Sequence, residues 1–498
     1  MTKTQRITFI LICFMLLACG RPSVPDSFQK ESREPKVMPD YTNVTIPANI
    51  CPLNFRVYER GKEIAVRISA GNLQYTYGDG MKVLIDEEEW KELLMQSKGS
   101  KMVVEVFVNE GNQWMAYEPF NIYVAEEDID PYISYRLIQP SYVAYGKLVI
   151  AQRNLTNFEE SIIYDNTLVN TPQQGQCVNC HSYQNYHTDH MMFHMREGLP
   201  GTMIVDENQI KKVDLKTEQI ISSGVYPAWH PTQNLIAFST NLIGQTFHTK
   251  DIAKVEVQDT ESDLILYDVA KNEIFTISND SNELETFPTW SADGNTLYYC
   301  SAHFEYNNDS IKDGEIIQRY RDLHYNIYAR DFNQQTHDFG EKRLVYDAAS
   351  ENKSATLPRV SPDGKYLTFA LGGYGCFHVW HSDADICLLN LQTSETILPE
   401  ELNSDRSDSY PSFSSNSRWI MTASRRDDNN YTRPYIAYFD KTGKCHKAFE
   451  VPQRDPEYYT LCPYSFNRPE FMIESVKTTP EQFAAEAKKE AVKAHYIK

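Results

Sequence analysis

Short runs of alternating apolar and polar residues make up most of this chain, a pattern typical of half-buried β-strands. The runs begin near Tyr41, in stretches such as KEIAVRIS and KMVVEVFVNE, and continue almost to the C-terminus. Two segments have helical spacing instead. One is 87–96, with Trp90, Leu93 and Leu94 on one face, and the other is the tail, 476–498. The pattern predicts an all-β protein with one helix in its first domain and a solvated helical tail.

A repeat organises the longer, second part of the chain. Four segments share an aromatic residue or leucine before a proline, then a turn and an alternating run; their prolines are Pro227, Pro288, Pro358 and Pro411. Proline is tolerated at a strand edge, and Asp-Gly or its Asn and Ser substitutes make the tight turn. Two further strand-like runs follow each copy, so each copy predicts one four-stranded blade of a β-propeller. With a composite earlier blade and a last strand from 459–472, we expect about six blades; five or seven are alternatives.

Cys177 and Cys180, followed directly by His181, form the C-x-x-C-H signature of covalent c-type haem attachment. Each thiol can bond one vinyl group, and the histidine is then the proximal iron ligand. A C-x-x-C pair can also be half of a zinc site or a thioredoxin-like redox pair. No second pair completes a zinc site, and no βαβ pattern surrounds this one. The sequence predicts one covalent haem c, in a loop insertion at about 170–198.

Several residues beyond the motif are candidates for the second iron ligand. His194 would give a bis-histidine site of lower potential, and Met195 a His/Met site of higher potential. His248 is a weaker candidate, and Arg196 is a candidate partner for a haem propionate. The other nearby candidates are His187, His190, Met191 and Met192. Each of these side chains could instead be a packing or surface residue.

The N-terminus predicts export and lipid attachment. A short basic region precedes eleven apolar residues, Ile7 to Leu17, too few to span a membrane as a mature helix. The run ends in LLACG, which resembles a bacterial lipobox and so implies cleavage before Cys19 and lipidation of that cysteine. An ordinary cleaved signal with a free Cys19 is the alternative. We expect a signal peptide at 1–18, a tether at 19–40, and a lipid-anchored protein facing the periplasm, on the outer membrane.

Charge and cysteine content narrow the partners. The formal net charge of −20 argues against a nucleic-acid partner, because phosphate contacts require clustered Lys and Arg. No later apolar stretch is long enough to span a membrane, so the lipid is the expected membrane attachment. Between the tether and the propeller, 41–127 predicts a small β-rich, sandwich-like domain; the propeller is expected at 128–475. The pairing of six further cysteines stays open; they are Cys51, Cys300, Cys376, Cys387, Cys445 and Cys462.

The P-x-W-S-x-D-G repeat resembles the TolB-type β-propeller. The stretches CVNCHSY, MMFHMREG and RPYIAY resemble, more narrowly, lipoproteins of Bacteroidetes-like bacteria that join this propeller to one c-haem motif, and the match covers about 128–474. Members are commonly labelled cytochrome c biosynthesis proteins. The resemblance implies the fold, the haem and the lipid anchor, and an FHMR stretch in the family favours His194 and Met195. It implies no particular activity, because propellers carry many functions.

Two classes of function follow. The first is an envelope-anchored mono-haem cytochrome, whose propeller docks an unidentified envelope protein for electron transfer or redox sensing. The second is a non-catalytic TolB-like scaffold in envelope assembly or cytochrome c maturation, with a structural haem. A haem peroxidase is a third, minor reading that needs an open position on the iron. The signatures G-x-S-x-G, H-E-x-x-H and the P-loop are absent, so no residue is assigned to hydrolysis.

Overall fold

A computed structural model describes residues 22–111, 113–140, 145–171, 173–251, 253–308 and 311–497. The chain divides into two compact units. The first runs to Glu126 and takes in a returning segment, Pro452–Thr460, and the second holds Glu127–Val451 and the residues from Leu461 onward. The sequence predicts this returning segment as part of the propeller, at 128–475, and that boundary is wrong for Pro452–Thr460. The predicted lipidation site, Cys19, lies outside the described residues.

The first unit is built from two sheets and one helix. Seven strands form a mixed sheet: Gln29–Lys30, Thr45–Ile46, Glu63–Ala70, Leu73–Tyr77, Lys101–Asn109, Trp114–Ala116 and Phe120–Val124. Three short strands form the second sheet: Val37–Met38, Phe55–Val57 and Lys82–Val83. The helix Glu87–Ser97 starts at Asp86, whose carboxylate accepts from two backbone N–H groups, and buries Trp90, Leu93 and Leu94. The helix predicted at 87–96 is therefore confirmed.

The segment predicted as a tether is partly folded into this unit. Gln29 pairs in parallel with Met115, and Val37 pairs with Val57. The tether prediction for 19–40 is therefore wrong in its second half, because short polar strands carry no alternating signal. Ion pairs within the unit hold the returning segment: Arg56 Nη1 contacts Glu457 at 2.7 Å, and Lys82 Nζ contacts Asp455 at 2.9 Å.

The second unit consists largely of antiparallel strands, described here as six groups of four, numbered 1 to 6. Group 1 is Tyr132–Ile138, Val149–Asn154, Glu160–Asp165 and Ser465–Met472. Group 2 is Gln176–Gln184, His187–Glu197, Gly201–Asp206 and Gln209–Asp214. Group 3 is Gly224–Trp229, Leu235–Phe247, Val255–Asp268 and Glu273–Ser278. Group 4 is Glu283–Trp290, Thr296–His303, Asn326–Asp331 and Arg343–Tyr346. Group 5 is Ser354–Val360, Tyr366–Gly372, Asp385–Asn390 and Thr396–Ile397. Group 6 is Asp408–Phe413, Trp419–Ser424, Arg433–Tyr438 and Phe449–Glu450. Groups 3 and 4 are joined into one nine-stranded sheet by a parallel pairing of Ser262 with Leu284, and that sheet also includes His495–Tyr496.

One edge strand in each group, called the lead strand, has the same local geometry. The lead strands are Ser465–Met472, Gln176–Gln184, Gly224–Trp229, Glu283–Trp290, Ser354–Val360 and Asp408–Phe413. Each has a bulge where two of its residues face one residue of the neighbouring strand. The all-β class and its β-propeller character, predicted from the repeat, are confirmed. The lead strand of group 1 comes from the end of the chain and pairs with Tyr132–Ile138 at its start.

The C-terminal tail is packed and only partly helical. The helix Pro480–Ala487 has a capping box at Thr479 and Gln482, and it buries Phe483. Two short strands follow: Val492–Lys493 pairs with group 2, and His495–Tyr496 pairs with group 3. The prediction of a solvated helical tail at 476–498 is therefore wrong, because Phe483, Ala484 and Ala487 give the helix a narrow apolar face that packs.

The remaining helical segments are short. They are Asn166–Leu168, Lys312–Gln318, Tyr320–Asp322, Ala349–Glu351, His378–Trp380 and Tyr458–Leu461. Within the described ranges, no helix combines the length and the apolar character needed to cross a bilayer. The eight cysteines in these ranges are all free thiols, and seven of them are buried.

Candidate functional site

The C-x-x-C-H motif lies on a strand. Gln176–Gln184 is the lead strand of group 2, and it pairs with His187–Glu197 to form a hairpin. The predicted loop insertion at 170–198 is therefore wrong. The residues QCVNCHSYQ and HTDHMMFHMRE form two adjacent strands of the group, and most of their side chains are buried.

Cys180 and His181 occupy the bulge of this lead strand. In the other five lead strands the first bulge residue has a left-handed φ and the second is proline; the pairs are Tyr226-Pro227, Phe287-Pro288, Leu357-Pro358, Tyr410-Pro411 and Arg468-Pro469. Cys180 has φ 57°, one degree above the 48–56° range of the other five residues, so its backbone repeats theirs. His181 therefore stands where the other groups have proline. The sequence comparison missed this copy because it was anchored on proline.

Both thiols of the motif line one pocket. The space between its walls, counted out to the opening, is about 1230 Å³. The wall contains Cys177, Cys180, His194, Met195 and Arg196, so the structure brings these five predicted residues together. Its apolar side includes Val225, Ile243, Val255, Val257 and Phe377. A pocket of this kind, apolar with a few polar groups, suits a bound organic group.

Arg196 and Arg136 make the pocket electropositive. Arg196 Nη2 donates to the Cys177 sulfur at 3.3 Å. Arg136 also lines the pocket, and its guanidinium donates to the carbonyl oxygen of Val178 at 3.2 Å. Two guanidinium groups line this pocket against the single carboxylate of Glu197 among its described lining residues, which favours a ligand that carries negative charge.

His194 is held in one orientation at the wall of this pocket. Its Nδ1 lies 3.0 Å from the hydroxyl oxygen of Thr202, on the adjacent strand. Only 4% of His194 is exposed, and burial lowers its pKa to about 3, so the ring is neutral at neutral pH. Because Thr202 engages Nδ1, Nε2 is the nitrogen available to a metal, which is the arrangement found at histidine metal ligands.

His181 does not line the pocket that holds the two thiols. Its side chain is fully buried, and neither ring nitrogen has a hydrogen-bond partner among the described residues. Its ring lies edge-on to Tyr183, with the centroids 6.1 Å apart. Burial lowers the pKa of His181 to about 3. The expected grouping of His181 with the thiols is therefore not observed, because the bulge separates the faces of consecutive residues.

The remaining predicted ligands are less suitable. Met195 lines the pocket, but Gln176 Nε2 contacts its sulfur at 3.6 Å. His248 lies at the end of a hairpin in group 3, where its backbone N–H donates to Lys254, and it is not part of the pocket wall. The weaker candidate His248 is therefore not brought to the site.

The pocket fits a haem attached through two thioethers, with one departure from the usual motif. Both thiols are free, the space is large, and the wall offers a neutral histidine and two arginines. The histidine on the wall is His194, whereas His181 is the residue that the motif would use. Both ring nitrogens of His181 are buried without a hydrogen-bond partner among the described residues, which hydrogen bonding within the fold does not explain.

Comparison with known proteins identifies no family and gives only distant likenesses to solved structures. No family model matches the chain, and no curated protein matches it. Among solved structures, an oligogalacturonate lyase in complex with manganese is 10% identical, over 82% of this chain and 99% of that one, with a TM-score of 0.31. A puromycin-hydrolysing peptidase of Mycobacterium tuberculosis is 11% identical, over 83% and 57%, with a TM-score of 0.36. The Cps50 (Swd1) β-propeller domain of Myceliophteria thermophila is 9% identical, over 76% and 96%, with a TM-score of 0.30.

Proposed function

We propose that this chain is a mono-haem c-type cytochrome of the bacterial envelope, in which a six-bladed TolB-like propeller holds one haem and docks a protein partner. One observation carries the proposal: Cys177, Cys180 and a neutral His194 lie on the wall of one large pocket. The role is electron transfer or redox sensing. The lipid at Cys19 and the periplasm-facing location rest on the N-terminal sequence.

The strand contacts support six blades in a closed ring. Each lead strand contacts the lead strand of the next group, from group 2 through group 6, then group 1. The lead strand of group 1 also contacts that of group 2, which completes the circuit. Pairing of the last lead strand with Tyr132–Ile138 joins the two ends of the unit in one group, the usual way to avoid open edges.

Each wall residue has a defined part in holding the group. Cys177 and Cys180 would bond it covalently, and His194 would supply the axial nitrogen, oriented by Thr202. Arg196 and Arg136 would pair with its propionates. Haem, when bound, supplies a one-electron iron couple.

A non-catalytic scaffold is the second candidate, and a specific observation favours it. Cys180 and His181 sit at a bulge that recurs in all six groups, with a left-handed residue at the first position each time. The blade repeat alone accounts for the bend of the strand there. A scaffold in envelope assembly or cytochrome c maturation would need the bend and no haem.

The deciding experiment is expression of the full chain in cells with an active c-type maturation system, with a known cytochrome c made in the same cells as reporter. We expect one covalent haem by pyridine haemochrome and intact mass. The double variant Cys177→Ser, Cys180→Ser should lose all covalent haem, whereas Cys462→Ser, a half-exposed cysteine outside the pocket, should keep it. A wild-type chain without haem, beside a loaded reporter, would overturn the cytochrome and leave the scaffold.

A second pair of variants identifies the iron ligand. His194→Ala should shift the haem absorption bands, because it removes the proposed iron ligand, while His181→Ala should leave the bands in place, because His181 is not on the pocket wall. The exposed His303 provides the control, His303→Ala. The reverse result would assign the iron to His181 and mean that the strand rearranges around Cys180. A high-spin wild type would point to an open iron and to peroxidase chemistry.

A further inference from the structure

Three charged side chains meet at the lead strands: Arg468 and Glu470 are buried, and Arg359 is partly exposed. Arg468 Nε donates to Glu470 Oε1 at 2.9 Å, and Arg359 Nη2 donates to the same oxygen. Arg359 comes from the lead strand of group 5, and the other two come from that of group 1. Since one carboxylate faces two guanidinium groups, this cluster carries one positive charge in excess.

One donor of this cluster is unsatisfied. Arg468 is only 8% exposed, and its Nη1 has no hydrogen-bond partner among the described residues. Its Nη2 reaches the carbonyl oxygen of Pro227 at 3.4 Å, which is a long contact. A buried guanidinium with an unused N–H is costly unless an anion or another acceptor completes it.

Arg359 lines two neighbouring spaces, called the neck and the mouth here, and Arg468 lines the neck. The narrow neck is lined by the left-handed residues and prolines of the lead strands, together with Arg359 and Arg468, and no carboxylate lines it. Arg359 also borders the wider mouth, where Glu470 is the only acidic side chain among the lining residues described. Burial raises the pKa of Tyr186, at the mouth, and of Tyr226, in the neck, so both are neutral. The positive excess is therefore not cancelled locally.

The mouth has the walls of a small-molecule site. Its space, counted out to the opening and including open solvent, is about 840 Å³. Its aromatic lining includes Trp229, Trp290, Phe413 and Phe471. Trp229 Nε1 is buried and has no partner among the described residues, so it offers a second donor.

We propose that this mouth binds a small organic acid with an apolar or aromatic body. Its carboxylate pairs with Arg359 and Arg468 at the neck, and its body packs against the aromatic walls. A carboxylate suits the site because a guanidinium presents N–H groups in the matching planar geometry. The mouth shares no lining residue with the thiol pocket, whereas the neck shares Tyr226 and Tyr410 with it; the proposed binding does not require haem.

The test measures binding of N-acetylphenylalanine to the purified full chain by tryptophan fluorescence, since Trp229 and Trp290 line the mouth. N-acetylphenylalanine amide has the same body without the charge and is the matched control ligand. We expect a Kd of about 1 mM or tighter for the acid, and at least tenfold weaker binding of the amide. Equal binding of the two, or no binding of the acid, would overturn the proposal.

Variants separate anion recognition from stability. Arg359→Gln should weaken binding of the acid at least tenfold, and Arg343→Gln, at an exposed arginine that lines neither space, should not change it. Glu470→Gln should tighten binding because it removes the competing carboxylate, a result that loss of folding cannot mimic. Weaker binding by a folded Glu470→Gln protein would overturn the proposal.

Discussion

Two histidines, His181 and His230, each replace the usual residue at a repeated position of the blade, and their surroundings differ. His230 stands where other groups have Ser291, Ser361 or Ser414 at the start of a turn. Its Nδ1 accepts from the backbone N–H groups of Thr232 and Gln233, at 3.2 and 3.0 Å, and its Nε2 donates to the carbonyl of Gly294 at 3.0 Å.

His181 stands where other groups have proline, and neither of its nitrogens is used. The contrast separates two reasons for a histidine in a repeat. His230 does the hydrogen bonding that the serines do elsewhere, so its chemistry is explained by folding. His181 contributes no hydrogen bond to folding, although burying an unpartnered imidazole costs free energy. The burial of His181 therefore requires a function of the C-x-x-C-H motif, or of the nearby cluster of Arg359, Arg468 and Glu470, to account for it.

The largest expected effect concerns the C-terminal helix Pro480–Ala487, which packs against group 2, the group that contains His181. Phe483 of the C-terminal helix is fully buried, with its ring 5.1 Å from that of Phe193. Phe483→Ala should lower the free energy of unfolding of the second unit by about 3–5 kcal/mol, because it leaves a cavity. Denaturant unfolding measures this. Phe247→Ala, at a phenylalanine that is 54% exposed, is the control and should change it by less than about 0.5 kcal/mol. A cost for Phe483→Ala as small as the control's would mean that the helix does not stabilise this group.

The next effect is the acid sensitivity that His230 confers. Burial lowers its pKa to about 4, with Asp293, His337 and the Gly294 carbonyl nearby. The unfolded chain takes up a proton near pH 6.5 and the folded chain does not, so stability falls as the pH drops from about 6.5 towards 4. Between pH 7 and 5 this loss should be about 1–2 kcal/mol.

Denaturant midpoints at the two pH values measure this loss. His230→Ser, which restores the residue of the other repeats, should remove this part of the pH dependence. His303→Ser, at an exposed histidine, should leave the dependence unchanged. An unchanged dependence in His230→Ser would show that other groups cause the acid sensitivity.

The smallest effect is expected for His181→Pro, which completes the proline pattern. The backbone already has the bulge that accepts proline in five other strands, so the free energy of unfolding should change by no more than about 1 kcal/mol. His230→Pro is the contrasting variant: it removes the hydrogen bond from the His230 N–H to Leu235, 2.8 Å long, and should cost about 3 kcal/mol. If His181→Pro proves as costly as His230→Pro, His181 has a structural role that its contacts do not reveal.

The sequence predicts the repeat better than it predicts the site. Proline marks four copies and Asp-Gly marks two of them, where Gly294 and Gly364 take the positive φ that their turns require, 72° and 70°. The copy at Arg468-Pro469 was recoverable from its proline. The copy at Cys180-His181 was not, because it has neither the proline that marks the other copies nor an Asp-Gly turn.

The same limit applies to the ligands. The C-x-x-C-H pattern assumes that all three side chains share one face, which holds on a helix but not on a strand, where successive side chains alternate between faces. Here a bulge between Asn179 and Ser182 changes the faces, so His194, from the neighbouring strand, joins the thiols. Strand pairing decides which residues meet, and strand pairing cannot be read from a single sequence.

Because the lead strand Ser465–Met472 pairs with Tyr132–Ile138 at the start of the second unit, this unit can be completed only late in synthesis. Arg136 Nη2 donates to Asn467 Oδ1, 331 residues later, and the first unit likewise needs Pro452–Thr460. Neither unit can be finished until nearly the whole chain has left the ribosome. A nascent chain therefore stays incomplete, and open to chaperones or to a translocation channel, through almost all of its synthesis, and a premature stop before residue 452 would leave both units unfinished.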